Sequence, residues 1–124
     1  MYGICHGDVC RVIGFLDAGA GSDPIARDKR KMLAYFQRIA HTILPPRDSE
    51  ITHLVDTSHR IWQTTQGQAR VLWFFDSDRI IVLSHGFLKK SRKTPERELE
   101  QARNARREYL KAKQAGDLRF REDR

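Results

Sequence analysis

Four cations stand within five residues of this chain: Lys89, Lys90, Arg92 and Lys93. Arg70 heads an apolar run upstream, and His85 lies just before the cluster. Positive charge of this density binds phosphates and polarises them. Arginine can fork two phosphate oxygens, whereas lysine acts as a point charge. Arg70, Lys89, Lys90 and Lys93 are therefore the candidates for holding a phosphate. His85 is the best general acid or base by residue type, because imidazole titrates near neutrality. Two positions before Phe87, it reads equally as a core histidine bonded to backbone. A lysine crowded by like charge holds its proton less firmly, so Lys89 or Lys90 is also a candidate base. Cys5, His6 and Cys10 have no second Cys/His pair at a matching spacing, and they read as residues of a first strand or a loose N-terminus rather than metal ligands. The sequence carries no carboxylate pair, phosphate loop or nucleophile elbow, which argues against the usual hydrolases and kinases.

Two elements must position these residues. Apolar runs at 70–76 and 79–88 flank Asp76-Ser77-Asp78, the pattern of a β-hairpin. The first run is apolar on both faces, with Val71, Trp73 and Phe75 against Leu72 and Phe74. That predicts a central strand covered on both sides. On the second run, alternation puts Ile81, Leu83, His85, Phe87 and Lys89 on one face. Gly86 marks a bulge or a close backbone approach. Thr94-Pro95 then reads as cap and first turn of a helix over 95–113. Its acidic residues Glu96, Glu98 and Glu100 lie near the positive end of the helix dipole. Arg103, Arg106, Arg107, Lys111 and Lys113 lie towards the negative end. Its apolar stripe is thin: Leu99, Ala102, Tyr109 and Leu110. Tyr109 is left open between stacking a base, donating a proton and packing in the core. Gly116 is a helix stop.

Upstream, residues 9–16 form a candidate first strand, and the Gly-rich 17–23 a loop. Asp23-Pro24 opens a helix that runs to Leu44, where Pro45-Pro46 ends it. Its apolar positions, Met32, Leu33, Phe36, Ile39, Ala40 and Ile43 among them, recur three and four apart. Residues 47–60 read as a short second helix or a loop, 61–65 as a strand, and Gln66-Gly67-Gln68 as a tight connection. His53 and His59 receive no role. The expected sheet is a three-stranded antiparallel meander, with 9–16 as a possible fourth strand. Residues 1–8 and 114–124 are expected to be poorly ordered.

With 124 residues, the chain has room for one domain and one core. Net charge is +7. Residues 85–124 hold thirteen Lys/Arg against seven Asp/Glu, so nearly all the excess sits at the C-terminal end. Localised basic charge favours nucleic acid or an acidic protein as partner. No apolar stretch has the shape of a secretion signal or the length of a membrane span, so a cytoplasmic location with reduced thiols is expected.

The segment HGFLKKSRKTPERELEQARNARREYL, residues 85–110, resembles the HigB-like, phage-derived branch of the RelE/ParE toxin superfamily. The shared pattern is HGF, a hydrophobic residue, two lysines and KTP, then a helix with Glu, Ala and paired Arg before Tyr. His85, Gly86, Phe87, Lys89, Lys90, Lys93, Thr94 and Pro95 carry the first part. Glu98, Ala102, Arg106, Arg107 and Tyr109 carry the second. RVLWFF at 70–75 resembles the family's arginine-led strand, and residues 53–63 its strand-entry segment. Two departures stand out. Thr64-Thr65 occupies the place of a Leu-Arg pair, and Trp73 stands where the family often has Tyr.

The resemblance implies a compact α+β fold of RelE type. An antiparallel sheet of three to four strands would pack against an N-terminal helical region, with a C-terminal helix. It implies a type II toxin that cuts mRNA on the ribosome, without metal or other cofactor, and is neutralised by a helix-turn-helix antitoxin. The expected catalytic residues are Arg70, Lys89, Lys90 and His85. The expected RNA contacts are Lys93, Arg92, Arg106, Arg107 and Tyr109. Two alternatives stand beside this reading. One is a toxin of the same fold acting on another target such as gyrase. The other is a degenerate, non-catalytic nucleic-acid-binding module, for which the missing arginine at Thr65 is the best argument.

Overall fold

Strands β6 (Ala69–Asp76) and β7 (Ile80–Leu88) form the hairpin expected from the two apolar runs. In this computed structural model the described residues are 2–3, 5–6, 9–10, 24–40, 51–76 and 80–116. Strand β5 (Ile61–Gln66) pairs antiparallel with β6, and β4 (Thr52–Asp56) pairs antiparallel with β5. At the other edge β1 (Tyr2–Gly3) runs parallel to β7. The order across the sheet is β1-β7-β6-β5-β4, so β6 is central. A separate two-stranded ladder joins β2 (Cys5–His6) to β3 (Val9–Cys10), with Cys5 opposite Cys10.

Helix α1 (Pro24–Ala40) covers one face of the sheet and α2 (Glu96–Ala115) the other. This α+β sandwich follows from β6, whose side chains are apolar in both directions and need two covers. On the α1 side, Met32, Tyr35 and Phe36 pack on Val71, Trp73, Ile81 and Leu83. Trp73 is fully buried. It stacks on Trp62 at 5.5 Å and meets Phe36 and Phe75 edge-on. Its indole N–H donates to Thr64 Oγ1 at 2.9 Å, which satisfies the one polar atom of that core aromatic. On the α2 side, Leu99, Ala102 and Tyr109 pack on Ile61, Leu72, Phe74 and Val82.

The turn between β5 and β6 is tied to α1. Gly67 has φ +57, and a Cβ there would run into the Asp28 carboxylate. Only glycine fits a backbone that is both left-handed and this close to a side chain. The Asp28 carboxylate accepts the Gln68 N–H at 2.9 Å.

Several expectations are corrected. The fourth antiparallel strand is β4, within the stretch read as a helix or loop, and not residues 9–16. Of the latter only Val9–Cys10 is described, and it pairs with Cys5–His6. Tyr2–Gly3, expected to be frayed, adds to the sheet. Thr94 does not cap α2. Pro95 is the N-cap, with extended backbone and no side-chain cap bond. The Thr94 hydroxyl instead donates to Gln63 Oε1 at 2.6 Å. Pro95 follows the usual preference for proline at a helix start, and it pushes Thr94 one position too far out to reach the first free N–H groups. Gly116 does end the helix, with φ 74 and its N–H on the carbonyls of Ala112 and Lys113. The predicted hairpin turn at Ser77-Asp78, the Asp23 cap and the Pro45-Pro46 stop lie outside the described residues.

The bulge sits at Ser84, not Gly86. Leu72 pairs with His85 and Trp73 with Leu83, which leaves Ser84 as the extra residue of β7. The extra residue reverses the facing of everything after it. Ile81 and Leu83 point to α1, whereas His85 and Phe87 face α2. The strict alternation expected over residues 81–89 is thus broken in the middle.

Candidate functional site

Because of the Ser84 bulge, the end of β7 turns the residues before the lysine cluster towards the N-terminal end of α2. Arg70 lies beside them at the head of β6, with Phe87 of β7 and Thr65 of β5 as its cross-strand partners. Cross-strand partners have Cα atoms about 4.5–5.5 Å apart, so the three side chains are neighbours. Thr65, at the place of the family arginine, therefore stands directly beside Arg70.

Arg70 is only 7% exposed, and its Nη1 is buried without a hydrogen-bond partner among the described residues. Burial lowers its pKa from the usual arginine value. An arginine stays charged in proteins, so this group is a cation held partly out of water with an unused donor. Such an arrangement costs stability unless a hydrogen-bond acceptor completes it.

Lys89 and Lys90 follow at once on the end of β7, and both are exposed. The Lys89 N–H donates to the Gln68 carbonyl at 2.8 Å, which fixes the backbone where the cations begin. Arg92 and Lys93 are exposed on the short connection to α2. Ser91 Oγ donates to the Lys93 carbonyl at 3.0 Å and shapes that connection. Lys89, Lys90, Arg92 and Lys93 thus form an exposed cationic rim close to the sequestered Arg70.

His85 is 4% exposed, with both ring nitrogens in use. Nδ1 lies 2.9 Å from Ser84 Oγ, and Nε2 lies 3.1 Å from Glu98 Oε2. A carboxylate only accepts, so the Nε2–H donates to Glu98. His85 therefore braces α2 against β7, with both nitrogens engaged by side chains in this structure. The core reading of this residue holds, with side-chain partners in addition to any backbone contact.

Tyr109 is likewise a core residue rather than a base-stacking platform. It is 7% exposed, its ring meets Phe74 edge-on at 5.6 Å, and its hydroxyl donates to Asp76 Oδ2 at 2.6 Å. Asp76 ends β6 at the far end from Arg70. Thirteen residues of helix at about 1.5 Å each put Tyr109 roughly 20 Å from the start of α2. Arg106 is half-buried along α2, and Arg107 is exposed with its Nη1 on Asn104 Oδ1 at 2.9 Å. Neither belongs to the Arg70 cluster.

Sequence reasoning missed the polar residues under the rim. Gln63 accepts from Thr94, and its amide lies 3.5 Å from Thr65 Oγ1. Lys29 comes from α1 and lines a groove of about 370 Å³ with Phe87, Lys90, Pro95, Arg97 and Glu98. Lys29 lies three residues before Met32 and four before Leu33, and a lysine on the apolar stripe of a helix is the signal that would have found it. On the far side of α2, Arg103 bonds both Asp56 and Glu96. Burial pushes the Asp56 carboxyl up. Hydrogen bonds from Arg103 and His59 more than reverse this and lower its pKa from 3.8 to about 2.

Among the described residues, no group of three or more His, Cys, Asp or Glu is placed to hold a metal ion, and no helix is long and apolar enough to cross a membrane. No curated protein matches the chain significantly. Residues 25–107, which span α1, the antiparallel meander and α2 as far as Arg107, match the family model described as phage derived protein Gp49-like (DUF891). With two-thirds of its length matched, including the helix, strand and cationic rim just described, the chain belongs to this Gp49-like family, a RelE/toxin-like family.

Proposed function

We propose that the chain is the toxin of a type II toxin–antitoxin pair, of the HigB-like branch, and that it cuts mRNA on the ribosome without a metal ion. A helix-turn-helix protein would be its antitoxin, and the cytoplasm its place of action. The observation that carries this reading is Arg70: a buried guanidinium with an unused donor, beside a rim of exposed lysines. A phosphate diester fits both halves. Its oxygens accept from a guanidinium, and lysines at the rim balance its charge.

In the proposed reaction the 2′-oxygen of the RNA attacks the adjacent phosphorus. The bond from phosphorus to the 5′-oxygen breaks, leaving a 2′,3′-cyclic phosphate and a 5′-hydroxyl. The 2′-hydroxyl gives up its proton, and the departing 5′-oxygen receives one. Arg70 stabilises the extra negative charge of the five-coordinate phosphorus, and Lys89, Lys90 and Lys93 hold the diester in place. With both nitrogens of His85 occupied, Lys89 and Lys90 are the groups left for the proton transfers.

The test is primer extension on mRNA from a translating extract, with wild type and with Arg70→Met. Wild type should cut within codons, and only when ribosomes are present. Arg70→Met should cut at least a hundredfold more slowly, the scale of loss when one preorganised donor is removed from a transition state. Its thermal stability should be equal or higher, because replacing a poorly compensated buried charge with an apolar side chain is neutral or favourable. Intact mRNA with damaged DNA would support the gyrase reading instead. RNA binding with no cutting and no growth effect would support a non-catalytic module. Thr65 beside Arg70 is the feature that favours that last outcome, since the resemblance places a second arginine there.

A further inference from the structure

The groove beside the rim has a composition that phosphate binding leaves unexplained. Phe87, Leu88 and Pro95 give it an apolar wall, Lys29, Lys90 and Arg97 bring positive charge to it, and Glu98 stands in its lining. Phe87 is also the cross-strand partner of Arg70, so the groove adjoins the phosphate candidate directly. Its volume of about 370 Å³ lies at the small end of small-molecule sites, the scale of one nucleotide.

Glu98 is out of place in a purely backbone-binding surface. A carboxylate repels phosphate, yet this one is held firmly. His85 Nε2 fixes Oε2 at 3.1 Å, and His85 is in turn within hydrogen-bond distance of Ser84 on the bulge. Oε1 has only a long ion pair, 3.6 Å, to the Nε of Arg97, whose side chain is 73% exposed. A carboxylate oxygen has lone pairs for more than one donor, so Glu98, as a lining residue of the groove, retains accepting capacity. Single-stranded RNA is read through unstacked bases that lie on apolar or aromatic side chains and bond along their edges. A fixed carboxylate is the complement of an edge with two adjacent N–H donors. Among the four bases, guanine presents that pair on its Watson–Crick edge.

The geometry points to a base-recognition subsite. The groove takes one unstacked guanine of the RNA next to the phosphate held by Arg70, with Glu98 as the acceptor that selects it and His85 as the residue that positions Glu98. This rests on the reading of the chain as an RNA-cutting toxin, and it adds the base that such a toxin would select.

Two measurements separate this inference from the reading beneath it. The first is nuclear magnetic resonance titration of the protein with guanosine, adenosine, cytidine and uridine monophosphates, which needs neither ribosome nor cleavage. The guanosine nucleotide should bind most tightly and shift the amides of Phe87 and Glu98. Glu98→Gln should weaken it about tenfold, the loss of one charge-assisted hydrogen bond. The second measurement is sequencing of cut sites in a translating extract. Glutamine pairs with adenine's donor and acceptor, so Glu98→Gln should move the cut preference from guanine towards adenine. A merely structural loss at Glu98 would lower all cutting without changing the preferred base. Glu108→Gln, at an exposed position of α2 outside the groove, gives a folded control that should keep the guanine preference. Guanine-selective binding without mRNA cleavage would uphold the subsite and sink the nuclease reading. Cleavage with equal binding of all four nucleotides, or with an unchanged preference in Glu98→Gln, would sink the subsite and leave the nuclease reading intact.

Discussion

The two faces of the sheet are built on different principles. The α1 face is an aromatic core in which the polar groups are satisfied: Trp73 bonds Thr64, and Thr64 and Tyr35 both bond Thr52. The α2 face is apolar through Leu72, Phe74 and Tyr109, then turns polar near the start of the helix. There it encloses His85, Glu98, Gln63 and Arg70, and the last keeps a donor without a partner. Buried polar groups in native proteins nearly always have partners, so an exception calls for an explanation, which the proposed phosphate would supply. One face secures the fold. The other gives up some of that security where the chemistry is expected.

The largest expected effect breaks the first face. Trp73→Ala should cost about 3–5 kcal/mol, enough to unfold a domain of this size, as read by chemical denaturation. A soluble variant with a fully cooperative transition near the wild-type midpoint would show that the aromatic cluster does not secure the fold. Tyr109→Phe tests the far end of the second face. It removes a hydrogen bond to a charged carboxylate and should cost about 1.5–3 kcal/mol, while mRNA cutting per folded molecule stays at the wild-type level. Lost cutting in a folded Tyr109→Phe would return this residue to the site.

Asp56 gives the contrast a pH dependence. Its folded pKa of about 2 lies below the ordinary 3.8, so its contribution is complete above pH 3.8 and is lost as pH falls towards 2. Asp56→Asn should flatten the acid limb of stability in that window and leave stability unchanged in shape above pH 5. An acid limb identical to wild type would show that the Arg103 and His59 bonds do not hold this carboxyl in solution. The smallest effect on stability belongs to the rim. Lys89→Gln with Lys90→Gln should move unfolding by less than about 0.5 kcal/mol and abolish cutting. A folded double variant that still cuts would remove the rim from the mechanism.

The legible parts of this molecule were those with a strong local pattern. β6 and β7 are long and apolar, α1 has a clear stripe, Gly67 and Gly116 punctuate the chain, and the lysines crowd one strand end. β4 was hidden because Thr52–Asp56 is an edge strand of five residues, with two polar groups among them that the structure buries. The Ser84 bulge left no trace in composition, since a single extra residue shifts facing without changing residue type. That one residue decided how His85 and Phe87 were misassigned. The Thr94–Gln63 bond joins residues 31 positions apart, which no local rule can anticipate. Arg70 was singled out from the sequence for its type, but its partnerless nitrogen emerges only from packing.

The tie between Asp28 and the Gln68 amide reaches further than the turn it steadies. Gln68 also receives the Lys89 N–H through its carbonyl, so two hydrogen bonds join helix, turn and the first lysine into one brace between positions 61 apart in sequence. A polypeptide lacking α1 would keep every positive charge and lose the anchorage that aims them. On the proposed reading, activity is thereby coupled to completeness: a copy clipped of α1 would keep its lysines without the geometry that makes them act.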